Sequence, residues 1–487
     1  MDISHSAVAG VSEAPELTRL DIAALSVAYA KGALSPVEVT QAALERAEEI
    51  QALLNPFSFI DADGALEAAR ASERRWRAGA PLSSLDGVPT TLKDIVHAEG
   101  WSVRYGSRTT DPAPVHGDAP SVGRLRQAGA LFIGQTTTPE FGWKAVTDSP
   151  KFGITRNPWD PSRTPGGSSG GAAVAAASGA GVVHLGTDGG GSIRIPASFT
   201  GIVGHKPTYG RIAAYPPSSF GTVAHIGPMT RTVADAAAML DVMSGRDLRD
   251  WTQSPLSFPK VRASRIDWNG KRIGYWKTPC VGEVNSTIAA AIEAVLKDLE
   301  AAGATIAEIR LPEQDALLEI FHRHWYVGAA SRLSSIDAAD RVFLDPGFLD
   351  AARIGESYGG AQYMAAEVHR GRYGAAMDAL LVDFDFVVSP TVPVPPFEAG
   401  HEVPPKSRAQ SWAEWSSFSF PINLSQQPAC SLPCGSMEDG LPIGMQIIGG
   451  RGADGDVLSA ALTYEEMYPQ RFLKPGGRWP TAIGGKS

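Results

Sequence analysis

The sequence has 487 residues, of which 43% are hydrophobic and 20% are charged, and Asp plus Glu outnumber Lys plus Arg by 52 to 43. A chain of this size and composition buries a large apolar core, which excludes intrinsic disorder and a small scaffold held by disulfides. The formal charge of −9 is spread along the chain, and no tract of five or more basic residues offers a surface for nucleic acid. We therefore expect a globular protein without a nucleic-acid partner.

Cysteine use and the N-terminal sequence bear on the compartment. Only Cys280, Cys430 and Cys434 occur, and the spacing of the last two matches neither a zinc site nor a dithiol redox motif. The first twenty residues lack a basic segment followed by an apolar one, and no later run reaches the roughly 18 apolar residues of a membrane span. We expect a cytoplasmic protein with no membrane association, no metal and no cofactor.

Helical and strand-like segments alternate along the chain. The first helix is predicted from Ser35, where an N-cap Ser, a Pro at the first helical position and Glu38 precede a periodic run that ends near Ile50. The other predicted helices are 65–77, 121–128, 172–178, 233–243, 285–302 and 456–467. The predicted strands are 131–134, 182–185, 272–276, 305–310, 384–389 and 442–448. This alternation predicts an α/β protein with a largely parallel or mixed sheet, and the absence of a polar linker predicts a single large domain.

Two serines lie inside glycine clusters in the segment 164–196. Ser168 lies in TPGGSSGG and Ser192 lies in GTDGGGSIRIP, with an Ala-rich helix and a short strand between them. Glycines beside a serine allow backbone conformations that other residues avoid, and they let successive N–H groups converge on one point. Such a point would serve as an oxyanion hole for a carbonyl substrate. The expected donors are the N–H groups of Gly189, Gly190, Gly191 and Ser192.

A serine hydroxyl becomes an effective nucleophile when a base removes its proton. His184 and His205 are the histidines nearest in sequence, but one falls in an apolar strand and the other in a turn, so both are interpreted as hydrogen-bonded structural residues. A lysine can act instead if burial lowers its pKa enough for a neutral amine to exist near pH 7. Lys93 has apolar neighbours and is such a candidate, although a lysine followed by an aspartate also fits a surface ion pair.

Several motifs together resemble those of the amidase signature family. They are GVPTTLKD (87–94), GQTTTPEFGW (134–143), TPGGSSGG (164–171), GTDGGGSIRIP (186–196) and GHKPTYGR (204–211). The resemblance is dense over a signature core of about 85–232, weak over a variable region of about 244–383, and resumes over a C-terminal return of about 384–470. It implies one amidase domain over 1–487, with a central mixed sheet covered by helices on both faces.

The resemblance implies a Ser-Ser-Lys triad in which Ser192 is the nucleophile, Ser168 is the bridging serine and Lys93 is the base. In that family the bridging serine follows a cis peptide bond, and the triad cleaves the C–N bond of a carboxylic amide through an acyl-enzyme intermediate. Side chains expected to orient the triad are those of Ser169, Asp188 and Arg194. The expected partner is a small-molecule amide, and a homodimer is compatible with the sequence.

Three other interpretations are open. The segment 167–171 also matches the G-x-S-x-G elbow of α/β-hydrolases, with Ser169 as nucleophile, but the elbow must follow a strand and the preceding Pro-containing residues do not form one. The glutaminase component of tRNA-dependent amidotransferases shares the triad and works only in a complex. The segments 354–358 and 411–420 differ from the usual sequence of that component, which favours a stand-alone amidase. A binding module without catalysis would not need all three reactive side chains.

Aromatic residues near these motifs indicate a type of substrate. The largest local concentration of rings is 412–420, and these rings either pack in the core or line a substrate pocket. The pocket hypothesis predicts an apolar or aryl amide. Its predicted lining residues are Tyr105, Trp143, Trp412, Trp415, Phe418 and Phe420.

Overall fold

The fold alternates helices and strands along the chain, in a computed structural model that describes residues 16–254, 258–473 and 479–480. The strands are β1 Phe57–Ile60, β2 Pro89–Lys93, β3 Leu131–Thr136, β4 Asp148–Ser149, β5 Gly153–Ile154, β6 Val183–Asp188, β7 Val203–Lys206, β8 His225–Thr230, β9 Arg272–Trp276, β10 Thr305–Ile309, β11 Phe386–Pro390, β12 Ala429–Ser436 and β13 Pro442–Ile448. The helices are α1 Ile22–Ala30, α2 Pro36–Leu54, α3 Ala62–Arg77, α4 Pro120–Gln127, α5 Gly170–Ser178, α6 Arg194–Thr200, α7 Val233–Met243, α8 Ser286–Ala301, α9 Leu317–Ser334, α10 Pro346–Glu356, α11 Gly360–Asp383, α12 Trp412–Trp415, α13 Phe420–Ser425 and α14 Asp454–Met467.

One mixed sheet organises these elements. In the described ranges it has eleven strands, in the order β1-β3-β2-β6-β8-β7-β12-β13-β11-β9-β10, and β4 pairs separately with β5. Strand β2 runs parallel to β3 and β6, whereas β7, β8, β12 and β13 run antiparallel to their neighbours. Within the same residues, no helix combines the length and the apolar character that crossing a membrane requires.

Helices cover both faces of the sheet. Successive side chains of a strand point to opposite faces. On β11, Phe386 and Val388 enter one apolar cluster, whereas Val387 enters another. The first cluster includes residues of α4, α7, α8 and α14, and the second includes residues of α9, α10, α11 and α13. The predicted α/β fold, with a mixed sheet between helical layers, is confirmed.

The predicted elements correspond to observed ones, with differences of a few residues at their ends. At the start of α2, Ser35 Oγ accepts the Glu38 N–H at 3.2 Å, and Glu38 Oε2 accepts the Ser35 N–H at 2.7 Å. This reciprocal cap was readable from the sequence because it lies within four residues.

Strand β2 is a difference between expectation and structure. Its sequence PTTLK lacks an apolar run and does not alternate, so no strand was predicted there. All five residues are nevertheless buried, and Leu92 pairs with Gln135 of β3 on one side and Leu185 of β6 on the other. Two parallel neighbours supply the backbone partners that make this polar segment a central strand.

Candidate active site

Lys93 is the last residue of β2, and its side chain is fully buried. Its Nζ lies 2.7 Å from Ser168 Oγ, 2.9 Å from Ser169 Oγ and 2.8 Å from Thr187 Oγ1. Burial lowers the pKa of this amine well below its ordinary value, although the negative charge of Asp188 acts in the opposite direction. A neutral amine in this position is able to accept a proton from a neighbouring hydroxyl.

The hydrogen bonds of Ser169 indicate which hydroxyl can supply that proton. Ser169 Oγ donates to the carbonyl oxygen of Thr187 at 3.0 Å, so toward Lys93 Nζ it acts as an acceptor. Ser168 Oγ forms a hydrogen bond with Lys93 alone among the described residues. Ser168 is therefore able to donate its proton to a neutral Lys93, whereas the proton of Ser169 is already engaged.

Close backbone contacts position Ser168. The peptide bond between Gly167 and Ser168 is cis, as the family resemblance implied. A Cβ on Gly167 would lie 2.6 Å from the carbonyl carbon of Val146, so this approach of two backbone segments requires glycine. The Ser169 N–H donates to the carbonyl oxygen of Ser192 at 3.1 Å and ties the two serine loops together.

Ser192 lies in the turn that follows β6. Asp188 Oδ1 accepts the Gly191 N–H at 2.8 Å, and Asp188 Oδ2 accepts the Ile193 N–H at 3.2 Å. Gly191 has a φ of 125°, which side-chain-bearing residues rarely adopt. The Ser192 hydroxyl has no hydrogen-bond partner among the described residues, and Ser192 and Ser168 line the same cavity. The Ser192 oxygen is therefore not engaged by any described side chain.

The predicted oxyanion donors require one correction. The Gly191 N–H is used by the fold, because it donates to Asp188. The N–H groups of Gly190 and Ser192 have no acceptor in the part of the chain that is described. Cβ atoms on Gly189 and Gly190 would lie 2.9 Å and 2.7 Å from tryptophan ring carbons, so these glycines allow aromatic rings to pack against the turn. This packing requirement was not visible in the sequence.

A buried ion pair holds the base of this turn. Asp188 and Arg194 are both fully buried, with Arg194 Nε 3.0 Å from Asp188 Oδ2. Burial alone would raise the pKa of Asp188, but the charge and hydrogen bonds of Arg194 keep it well below its usual range. Asn423 and Gln446, which sequence reasoning missed, complete the network by contacting Asp188 and Arg194 at 2.8 Å and 2.9 Å.

The two serines open into a cavity of about 270 Å³. Its wall is mainly apolar and aromatic, and it includes Ile95, Tyr105, Phe141, Phe220, Trp325 and Arg332. The Phe220 and Trp325 rings stack with their centroids 4.0 Å apart. Pockets of this character bind small, largely apolar molecules.

Tyr105 is the one predicted pocket residue that lines this cavity among the described residues. The prediction was wrong for the others, which are buried in the second apolar cluster: Trp143, Trp412, Trp415, Phe418 and Phe420. Trp415 stacks on Phe199, with centroids 6.0 Å apart, and Phe418 packs edge-on against Trp276 at 4.7 Å. A local concentration of rings does not reveal which side of an element meets the cavity, and here the rings face the core.

The wall residues that sequence reasoning missed come from separate parts of the chain. Phe141 lies inside the motif 134–143 and was detectable there. Trp325 and Arg332 lie seven residues apart on α9, a spacing that places them on one face of the helix. Nothing in the sequence indicates that this face meets the cavity.

The histidines considered as bases are structural, as predicted. His184 Nδ1 lies 2.8 Å from Thr91 Oγ1, and His205 Nε2 lies 3.2 Å from Asp454 Oδ1. Both side chains are fully buried, and burial lowers the pKa of His184 to about 3. Neither imidazole is positioned to receive a proton from the two serines of the cavity.

Known proteins resemble this chain over most of its length. The amidase family model matches residues 38–458. A glutamyl-tRNA(Gln) amidotransferase subunit from Myxococcus xanthus is 35% identical over 93% of this chain and 98% of that protein, and an acylamidase from Rhodococcus erythropolis is 33% identical over 93% and 96%. The crystal structure of a bacterial aryl acylamidase superposes with a TM-score of 0.85 at 28% identity, covering 94% of this chain and 99% of that chain. The chain belongs to the amidase signature family, and it is a hydrolytic amidase.

Proposed function

We propose that this amidase acts by itself on carboxylic amides, with Ser192 as nucleophile, Ser168 as proton bridge and Lys93 as base. As Ser192 Oγ bonds to the amide carbonyl carbon, its proton passes to Ser168 Oγ while the Ser168 proton passes to the neutral amine of Lys93. The observation that carries this proposal is the 2.7 Å contact between a buried lysine of lowered pKa and a serine that shares a cavity with an unpartnered second serine.

The tetrahedral intermediate carries a negative oxygen that needs hydrogen-bond donors. The N–H groups of Gly190 and Ser192 lack acceptors among the described residues, and we assign this role to them together with the adjacent Gly189. Collapse then breaks the C–N bond, and the leaving amine takes the proton that returns from Lys93 through Ser168. A water molecule, deprotonated by the same route, cleaves the acyl-enzyme to the carboxylic acid and free Ser192.

Three other side chains position the reacting groups in this proposal. Ser169 accepts a hydrogen bond from Lys93 and links the two serine loops through its N–H. Asp188 holds the turn before Ser192, and Arg194 holds Asp188. None of the three touches the substrate in this scheme.

The cavity favours an apolar or aryl amide. Phe141, Phe220 and Trp325 provide ring surfaces beside the two serines, and the volume of about 270 Å³ suits a small molecule. The names of the similar acylamidase and aryl acylamidase support this substrate class.

Labelling by a serine-directed fluorophosphonate tests the nucleophile. We expect intact mass and peptide mapping to place one label on Ser192 and hydrolysis of acetanilide to stop, with neither labelling nor hydrolysis in Ser192→Ala. Ser218→Ala is the matched control, because Ser218 lines the same cavity without a lysine partner and its loss should leave labelling intact. A label on Ser169, or acetanilide hydrolysis that persists in Ser192→Ala, would contradict the proposal.

The glutaminase component of an amidotransferase is the second candidate, favoured by the 35% identity to the Myxococcus xanthus protein. Free glutamine carries an α-ammonium group, which a selective site would pair with a carboxylate. The described residues of the cavity wall include no Asp or Glu. We therefore favour the stand-alone amidase, and turnover of glutamine well above that of acetanilide would reverse this preference.

A further inference from the structure

Arg332 is a charged residue of the cavity wall that the proposed mechanism does not use. It lies in the last turn of α9, one face of which meets the cavity through Trp325. No other Lys, Arg, Asp or Glu occurs among the described residues of the wall. A single cation in an otherwise neutral pocket is a strong determinant of which ligands bind there.

The guanidinium of Arg332 lacks a partner anion among the described residues. It forms no hydrogen bond or ion pair with any of them, and its Nε is buried without an acceptor. Its central carbon lies 4.5 Å from the centre of the Phe141 ring and 5.5 Å from that of Tyr105. Ring faces offset part of the cost of removing a cation from water, but they do not satisfy its N–H groups.

Other buried arginines of this protein are paired. Arg194 and Arg211 form ion pairs with Asp188 and Asp454, and Arg231 donates to the carbonyl oxygen of Gly181 at 2.8 Å. The fold therefore supplies acceptors where a guanidinium is structural. At Arg332 the missing acceptor faces the cavity.

We propose that Arg332 binds a carboxylate on the substrate, so that the preferred amides are aryl or apolar amides with a carboxylate remote from the scissile bond. This inference rests on the proposed function. A guanidinium presents a planar set of N–H donors that matches a carboxylate in two parallel hydrogen bonds. The two sites are close, because Arg332 packs on Phe141 and a Cβ on the next residue, Gly142, would lie 3.4 Å from Ser168 Oγ.

Binding to the inactive Ser192→Ala protein tests this subsite apart from turnover. Isothermal titration would compare two matched pairs: N-phenylsuccinamate with N-phenylbutanamide, and 4-acetamidobenzoate with 4-methylacetanilide. The first pair places the carboxylate on the acyl side, and the second places it on the amine side. We expect at least one anionic probe to bind about 10-fold or more tightly than its neutral partner, the range for hydrogen bonds to a charged group.

Second-site variants in the Ser192→Ala background identify the residue responsible. Arg332→Met should abolish the preference for the anionic probe while the neutral probe still binds, which also shows that the pocket is folded. Arg332→Lys should retain part of the preference. Arg323→Met is the matched control, since Arg323 lies on the same helix but pairs with Glu319 away from the cavity wall, and the preference should persist.

Equal binding within both pairs, or a preference that survives in Arg332→Met, would overturn the inference. Hydrolysis of N-phenylbutanamide by the wild-type enzyme tests the proposed function separately. A carboxylate preference without any amide turnover would leave the subsite and remove the amidase mechanism. Turnover without the preference would do the opposite.

Discussion

Replacing Arg194 with methionine should destabilise the protein strongly, because it leaves the Asp188 carboxylate buried without its cation. Both side chains of the pair are fully buried. Arg194 donates five hydrogen bonds, two of them to Asp188 and the rest to Ser419, Asn423 and Gln446. Breaking a buried pair by removing one partner costs about 3–5 kcal/mol of unfolding free energy. The expected loss lies in that range.

The double variant separates the lost contacts from the buried charge. In Asp188→Asn/Arg194→Met no charge remains at the site, and the new amide oxygen can still accept the Gly191 N–H that Asp188 accepts at 2.8 Å. We expect the double variant to be more stable than Arg194→Met by at least about 1 kcal/mol. Arg126→Met serves as the control, because the Arg126 side chain is 48% exposed and its pair with Asp118 contributes less than about 1 kcal/mol.

Urea unfolding followed by tryptophan fluorescence at pH 8 and pH 5 provides the assay. In the wild type the pKa of Asp188 is held below its usual range, so its contribution is present at both pH values and is lost only in stronger acid. In Arg194→Met the uncompensated carboxylate gains a proton as the pH falls, so the gap to the wild type should narrow at pH 5. A double variant no more stable than Arg194→Met, together with a gap independent of pH, would refute this reasoning.

Three further predictions concern the site itself. Because Lys93 must be neutral to act, and burial lowers its pKa, kcat for acetanilide should rise with pH and level off below the ordinary lysine pKa; the rise should be retained in Lys206→Met, since Lys206 Nζ contacts only carbonyl oxygens among the described residues, and a flat profile with chemistry rate-limiting would exclude Lys93 as base. Gly190→Ala should lower the free energy of unfolding by about 1–3 kcal/mol and slow fluorophosphonate labelling, because its Cβ would lie 2.7 Å from Trp412 and 2.8 Å from Phe321. Gly371→Ala, with no atom within 4 Å of the new Cβ, is its control in thermal unfolding. Ser169→Ala should lower kcat about 10-fold or more with little change in KM, because Lys93 loses a 2.9 Å contact that positions its amine; unchanged kcat would remove Ser169 from this role.

Local patterns predicted much of the fold and the centre of the candidate site. Helix α2 was readable because its cap involves Ser35 and Glu38, which are three residues apart. The glycines around Ser168 and Ser192 were readable for a similar reason, since they mark tight backbone approaches within a few residues. Strand β2 was not readable, because its five residues become a central strand only through neighbours that lie some 40 and 90 residues further along the chain.

The sequence by itself determined the α/β class and the pairing of Lys93 with the two glycine-flanked serines as a hypothesis, because turn glycines, caps and hydrophobic periodicity act over short distances along the chain. The tertiary structure alone decided what surrounds them. It buried Trp412, Trp415 and Phe418 in the core and brought Trp325 and Arg332 of α9 to the cavity wall. Which face of an element meets a cavity depends on packing between segments far apart in sequence, and the residues of one element do not encode that packing.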